Sequence, residues 1–227
     1  MLLEESGDSI YSKDLEMMIE DPVHHVYISS TNAINLCVND FPKVTKLTLV
    51  EKFKGPRDSI AIDLNRIIPL RQLTQLNLNC PRVPLEQITK LLHLTPNVHT
   101  LKLDSVFLYE TDSISIEQTE LFRIVSSTNI VINVTIVKES ALNKIQLLVA
   151  LFPRLEYLTI NLYEEDLESI ARFLLSKDNN NTRHLSALCI SKQLSSLLEK
   201  LRILIESEKL LDDHTLKTIS GKVYLWW

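Results

Sequence analysis

Thr95-Pro96-Asn97-Val98-His99-Thr100-Leu101-Lys102-Leu103 is the stretch on which the reading of this chain turns, because it keeps returning. Phe41-Pro42-Lys43-Val44-Thr45-Lys46-Leu47-Thr48-Leu49 has the same form. So do Leu70-Arg71-Gln72-Leu73-Thr74-Gln75-Leu76-Asn77-Leu78 and Phe152-Pro153-Arg154-Leu155-Glu156-Tyr157-Leu158-Thr159-Ile160. Aligned on the penultimate apolar residue, the copies fall at Val26, Leu47, Leu76, Leu101, Val134, Leu158, Leu188 and Val223. The step varies from 21 residues (Val26 to Leu47) to 35 (Leu188 to Val223), about 28 on average, within the range of stacked repeats. Four copies are clear, those around Val134 and Leu188 are good, and the terminal ones are weaker, as end units commonly are.

Within each phrase the apolar residues alternate, Leu47 in, Thr48 out, Leu49 in, which is the period of a strand. Between phrases the period lengthens. Leu85, Ile88, Leu91 and Leu92 keep helical spacing, as do Leu142, Ile145, Leu148 and Val149, and Leu167, Ile170, Ala171 and Leu174. Pro84 and Glu86 suit a first helical turn, where a missing N–H costs nothing and an acid meets the helix dipole. Pro42, Pro96 and Pro153 each stop a helix and start the return to a strand. The unit is therefore one strand plus one helix. The three glycines, Gly7, Gly55 and Gly221, form no phosphate-binding cluster of the doubly wound kind, and no Asn-Gly or Asp-Gly turn announces a sandwich of hairpins. The expected fold class is α/β, a solenoid with parallel strands on one side, helices on the other and about 7–8 irregular repeats. Residues 1–20 are read as an N-terminal helical cap or partly ordered segment and 21–227 as a single domain. Asp104 to Gln118 and Asp178 to Thr182 are read as excursions within it.

The bulk properties narrow the function. Of 227 residues 45% are hydrophobic, enough for a substantial core. Lys plus Arg number 24 and Asp plus Glu 29, a net charge of −5 with no basic block, which argues against nucleic acid and against an anionic membrane surface. No apolar run approaches the ~20 residues of a membrane span. Cys37, Cys80 and Cys189 are odd in number, far apart and outside any C-x-x-C pair, so they read as core thiols of a reducing compartment, cytoplasmic or nuclear.

The strand phrases Leu73-Thr74-Gln75-Leu76-Asn77-Leu78, Val98-His99-Thr100-Leu101-Lys102-Leu103 and Leu155-Glu156-Tyr157-Leu158-Thr159-Ile160 resemble those of leucine-rich repeat proteins over roughly residues 20 to 227. The irregular unit length and helical outer side are similar to the repeats that follow an F-box in substrate receptors of cullin-type ubiquitin ligases. The resemblance implies a horseshoe arc with a concave strand face and a convex helical face. It also implies protein recognition, possible for ligase subunits only where a longer form supplies the F-box, since Met1 to Asp21 are too few for one. The chain departs from the family where Asn or Cys normally caps the turn. Lys52, Pro81, Val106, Glu139 and Tyr163 stand there, with Cys80 and Asn79 out of register, so the turn amides need other partners.

Nothing in the sequence carries catalysis. His24, His25, His93, His99, His184 and His214 show no zinc spacing, and His24 and His25 face opposite sides of a strand. There is no nucleophile elbow and no phosphate loop. Glu164-Glu165-Asp166 and Asp212-Asp213 read as helix starts. No enzyme activity, cofactor or metal is expected. The expected binding residues are the outward strand positions, which stack in rows about 4.8 Å apart: Lys46 and Thr48, Gln75 and Asn77, Thr100 and Lys102, Asn133 and Thr135, Tyr157 and Thr159. Ala187 and Cys189 continue them. Val223-Tyr224-Leu225-Trp226-Trp227 reads as a last strand whose indoles cover the exposed end of the stack. The expected function is protein binding on the concave strand face, as substrate recognition for a ubiquitin ligase. The alternative is a scaffold or inhibitor of the same fold. The expected partner is a protein, with neither nucleic acid nor membrane.

Overall fold

The computed structural model describes residues 17–20, 24–29, 41–50, 59–81, 83–108, 117–191 and 195–227. The short apolar phrases form strands β2 (His25–Ile28), β3 (Lys46–Leu49), β4 (Gln75–Leu78), β6 (Thr100–Leu103), β8 (Asn133–Glu139), β9 (Tyr157–Asn161) and β10 (Ala187–Ile190). They lie side by side in chain order, every neighbouring pair parallel. Val26, Leu47, Leu76, Leu101, Val134, Leu158 and Leu188 are direct partners from strand to strand, so the sequence alignment and the structural register coincide over seven units. Each of these residues is 0–2% exposed.

The longer-period stretches form helices α1 (Ser59–Ile67), α2 (Leu85–Leu94), α3 (Glu120–Thr128), α4 (Leu142–Leu151), α5 (Leu167–Leu175) and α6 (Ser195–Glu208). One buried cluster joins their apolar stripes to the strand residues, Leu64, Ile88, Val125, Ile145, Ile170 and Leu201 among them. The helices thus pack on one side of the sheet and leave the other side uncovered by them. Proline works as expected: α2 stops at Leu94 before Pro96, and α4 stops at Leu151 before Pro153. Pro84 is the residue before the first helical turn of α2, one place earlier than expected.

A backbone motif repeats with the sequence. The His24 carbonyl accepts from both Thr45 and Lys46 N–H, at 2.9 Å each. Thr45 then does the same for Thr74 and Gln75, Thr74 for His99 and Thr100, His99 for Ile132 and Asn133, Ile132 for Glu156 and Tyr157, and Glu156 for Ser186 and Ala187. Side chains reinforce the same edge: Gln72 Nε2 donates to the Pro42 carbonyl at 2.7 Å, and Asn97 Nδ2 to the Arg71 carbonyl at 2.6 Å. Just past the strand ends the backbone supplies partners, Asn79 N–H to Leu49 O and Asp104 N–H to Leu78 O, both 2.8 Å. Cys80 adds its Sγ to the Leu49 carbonyl at 3.2 Å, so it serves the turn from its displaced position.

Two expectations change at the ends. Of the N-terminal segment read as a helical cap, residues 1–16 lie outside the described residues, and β1 (Met17–Glu20) is a strand antiparallel to β2. At the other end β12 (Lys222–Trp226) is no eighth parallel unit. It runs antiparallel to β10, with Leu225 opposite Leu188, and β11 (Thr215–Ile219) pairs antiparallel outside it. Asp212 and Asp213 lead into this strand and start no helix. A two-residue turn at Ser220-Gly221, both with positive φ, joins the hairpin; a glycine accepts that conformation freely. The Asp104 to Gln118 excursion, of which 109–116 lie outside the described residues, opens with β7 (Val106–Phe107), parallel to β5 (Val83–Pro84). The α/β class and the parallel strands are as expected, but the main sheet is open and uncurled, so the expected horseshoe with a concave strand face is not what the strands form.

The helix side is tied laterally. Buried Asn129, just after α3, donates from Nδ2 to the Val125 carbonyl (2.6 Å) and to the Leu151 carbonyl at the end of α4 (2.9 Å), while its Oδ1 accepts from Val131 N–H. Arg172 of α5 makes a forked pair with Glu208 of α6, at 2.8 and 3.0 Å. Hydrogen bonding to Arg172 holds the Glu208 carboxyl below the usual range, so its contribution is present above that range and lost as pH falls through its lowered pKa. Leu101→Ala, in the middle of the stack, is expected to lower unfolding free energy by about 2–5 kcal/mol. Asn129→Ala is expected to cost about 1–3 kcal/mol by removing the partner of the Leu151 carbonyl and of the Val131 N–H, against less than about 0.5 for exposed Thr128→Ala, measured by chemical denaturation.

Candidate functional site

The helix-free side of the sheet is made by every second strand residue, and register turns those residues into two rows. One runs Lys46, Gln75, Thr100, Asn133, Tyr157; the other runs Thr48, Asn77, Lys102, Thr135, Thr159. All ten residues expected at the binding surface are therefore brought together as neighbours. Neighbouring strands sit about 4.8 Å apart, so five strands carry each row over about 19 Å.

The side chains are not equally available. Tyr157 is 47% exposed and Lys102 is exposed; most of the others are half-buried. Thr48 is the exception, at 3%. His25 Nε2 lies 2.9 Å from its hydroxyl on one side, and Asn77 Nδ2 donates to the same oxygen at 3.1 Å on the other. This three-residue chain ties β2, β3 and β4 together across the face and takes Thr48 out of reach of a partner. His24 turns away, with Nδ1 3.1 Å from the Lys43 carbonyl, so the two adjacent histidines serve different places.

The rows also continue past the expected residues. Ala187 and Cys189 hold their outward positions on β10 but are buried, because antiparallel β12 sets Trp226 opposite Ala187 and Tyr224 opposite Cys189. Tyr224 and Trp226 stack face to face, ring centroids 5.4 Å apart and planes 8° off parallel. Beyond them Lys217 stands opposite Tyr224 and Thr215 opposite Trp226. The indole of Trp226 thus belongs to the helix-free face and does not cover the end of the stack, which β11 occupies. Trp227 packs against the core. The alternation in Lys222-Val223-Tyr224-Leu225-Trp226 was the signal for this: Val223 and Leu225 are core, so Tyr224 and Trp226 must point the other way.

On the helix side the acidic run behaves structurally. Glu164, Glu165 and Asp166 form a short 3-10 turn into α5, but Asp166 makes no side-chain cap; Glu164 instead accepts from Ser196 (3.3 Å) and pairs with Lys200 of α6. Among the described residues no group of three or more His, Cys, Asp and Glu side chains comes together to hold a metal, and no helix is long and apolar enough to cross a membrane.

No protein-family model matches the chain, and no curated protein matches it.

A hydrogen bond with Cys189 holds the Tyr224 phenol protonated above its ordinary range. A raised folded pKa means that this contribution is complete below about pH 10 and is lost as pH rises through the raised value. An ultraviolet titration of phenolate is expected to show a late-ionising tyrosine, absent in Tyr224→Phe and shifted down in Cys189→Ala. An unchanged curve in Cys189→Ala would remove the thiol as the cause.

Proposed function

We propose that the chain is a leucine-rich-repeat-type stack that holds a protein partner on the helix-free face of its sheet, without catalysis of its own. One observation carries the reading: from β2 to β9, six parallel strands align their outward residues into two rows of polar and aromatic side chains that the described helices leave uncovered. Such a face offers many modest contacts, its rows spread over about 19 Å, which suits a macromolecule better than a small ligand. Exposed Tyr157 supplies a large amphipathic contact with little rotamer freedom to lose. A single buried cluster from Val26 to Leu225 supports one domain over 21–227. Cys80 and Cys189 are buried thiols, which suit a reducing cytoplasm or nucleus.

The resemblance to F-box-associated repeats suggests substrate choice for a cullin-type ubiquitin ligase as the setting in which this face is used. Affinity capture with mass spectrometry tests both levels. Wild type is expected to retain a protein set that Lys102→Glu plus Tyr157→Ala loses, while Arg202→Ala, on exposed α6, keeps it. A set unchanged in the double variant would move binding off this face. A cullin adaptor in the wild-type set would favour the ligase setting, and its absence from capture with the full-length protein would favour a scaffold or inhibitor.

A further inference from the structure

The charge on the helix-free face runs against that of the chain. The whole sequence carries −5. Lys46, Lys102 and Lys217 nevertheless stand in the two rows, and Lys222 lies one step beyond Tyr224 on β12. Among the described residues none of these four has a carboxylate within ion-pair distance, so their charge on this face is uncompensated by a direct pair. From β2 to β11 neither row contains Asp or Glu. Asp104, one step outside the rows beyond Lys102, is taken up by Lys138 at 2.7 Å.

We infer that the partner presents an acidic segment that crosses the strands, with its carboxylates flanking an apolar or aromatic stretch. This rests on the recognition reading above and names the chemistry of what is recognised. Lys102 on β6 and Lys217 on β11 share a row five strand spacings apart, about 24 Å. An extended chain covers that distance in about seven residues. Between the two lysines the row and its neighbour hold exposed Tyr157 and half-buried Tyr224 and Trp226, which suit apolar side chains at the middle of such a segment. The lysines give direction and on-rate, and the rings give residence time. A polyphosphate chain is the poorer fit, because the face has no arginine in its rows and its cations stand apart in place of a continuous track.

The test is selection of random 16-residue peptides displayed on phage against the full chain. Enriched sequences are expected to carry acidic residues about six to eight positions apart around an apolar stretch. A synthetic peptide of that sequence is expected to bind about tenfold or more weakly to Lys102→Glu plus Lys217→Glu, and to weaken likewise on raising salt. A charge-swapped peptide with lysines in the acidic places is expected to bind that variant better than wild type, which shows the variant folded. Enrichment of neutral or basic sequences, of none, or of acidic ones indifferent to the two substitutions overturns the inference. So does tighter binding of oligo(dT) lost in the same variant, or salt-sensitive self-association lost in it, which would assign the face to nucleic acid or to a second copy. If peptide selection fails while capture still depends on Lys102 and Tyr157, only the acidic class falls; if capture is also indifferent, the recognition face falls with it.

Discussion

Every unit of this protein leans on the same contact, one apolar residue per strand set directly beside its counterpart on the next. Leu47, Leu76 and Leu101 are each fully buried, yet no single unit has the surface to bury its own. Shelter comes from the neighbours on both sides and from the helices beneath, at roughly 1.5–3 kcal/mol for each large side chain removed from water. Because the side-chain period of a strand is two, a slip of one residue would turn all of these outward at once. The doubled N–H donation to a single carbonyl at each step gives the backbone a second reason to keep the same register.

That constraint also creates the surface on the other side. Fixing Leu76 and Leu78 inward leaves Gln75 and Asn77 no choice of direction, and the parallel register then aligns them with Lys46, Thr48, Thr100 and Lys102. The helix-free face is thus a by-product of core packing until side-chain chemistry gives it character. Its two halves differ in that character. Around β2 to β4 it is cross-linked by the His25, Thr48 and Asn77 chain, whereas toward β12 it is aromatic, with Tyr224 stacked on Trp226.

The strand-and-helix alternation was readable because Leu, Val and Ile occupy it with little interruption, and the seven aligned positions match the observed pairs one for one. What escaped the reading lies where local pattern and global direction part. Val223 and Leu225 alternate just as Leu101 and Leu103 do, but alternation is blind to whether a strand runs with or against its neighbour. The Ser220-Gly221 pair marked the hairpin, a less familiar turn than Asn-Gly yet able to take two positive φ values. Thr48 was rightly placed outward, but its burial depends on His25, 23 residues away, and Asn77, 29 away. Asn129 was invisible for a similar reason: its value comes from the Leu151 carbonyl of the following helix.

The reversal of strand direction at both margins bears on how molecules meet in a crowded solution. A series of like-oriented strands invites another to add at its rim, and a chain of such additions makes a filament. Here β1 and β12 each reverse the direction of the series, while the outermost β11 turns back to it, so both margins end in antiparallel pairs and not in further parallel units. Lys217, Thr218 and the tight bend at Ser220-Gly221 place charge, polarity and curvature on the final rim. On that rim it is charge and the bend, and not strand direction, that oppose the addition of another copy to the ladder.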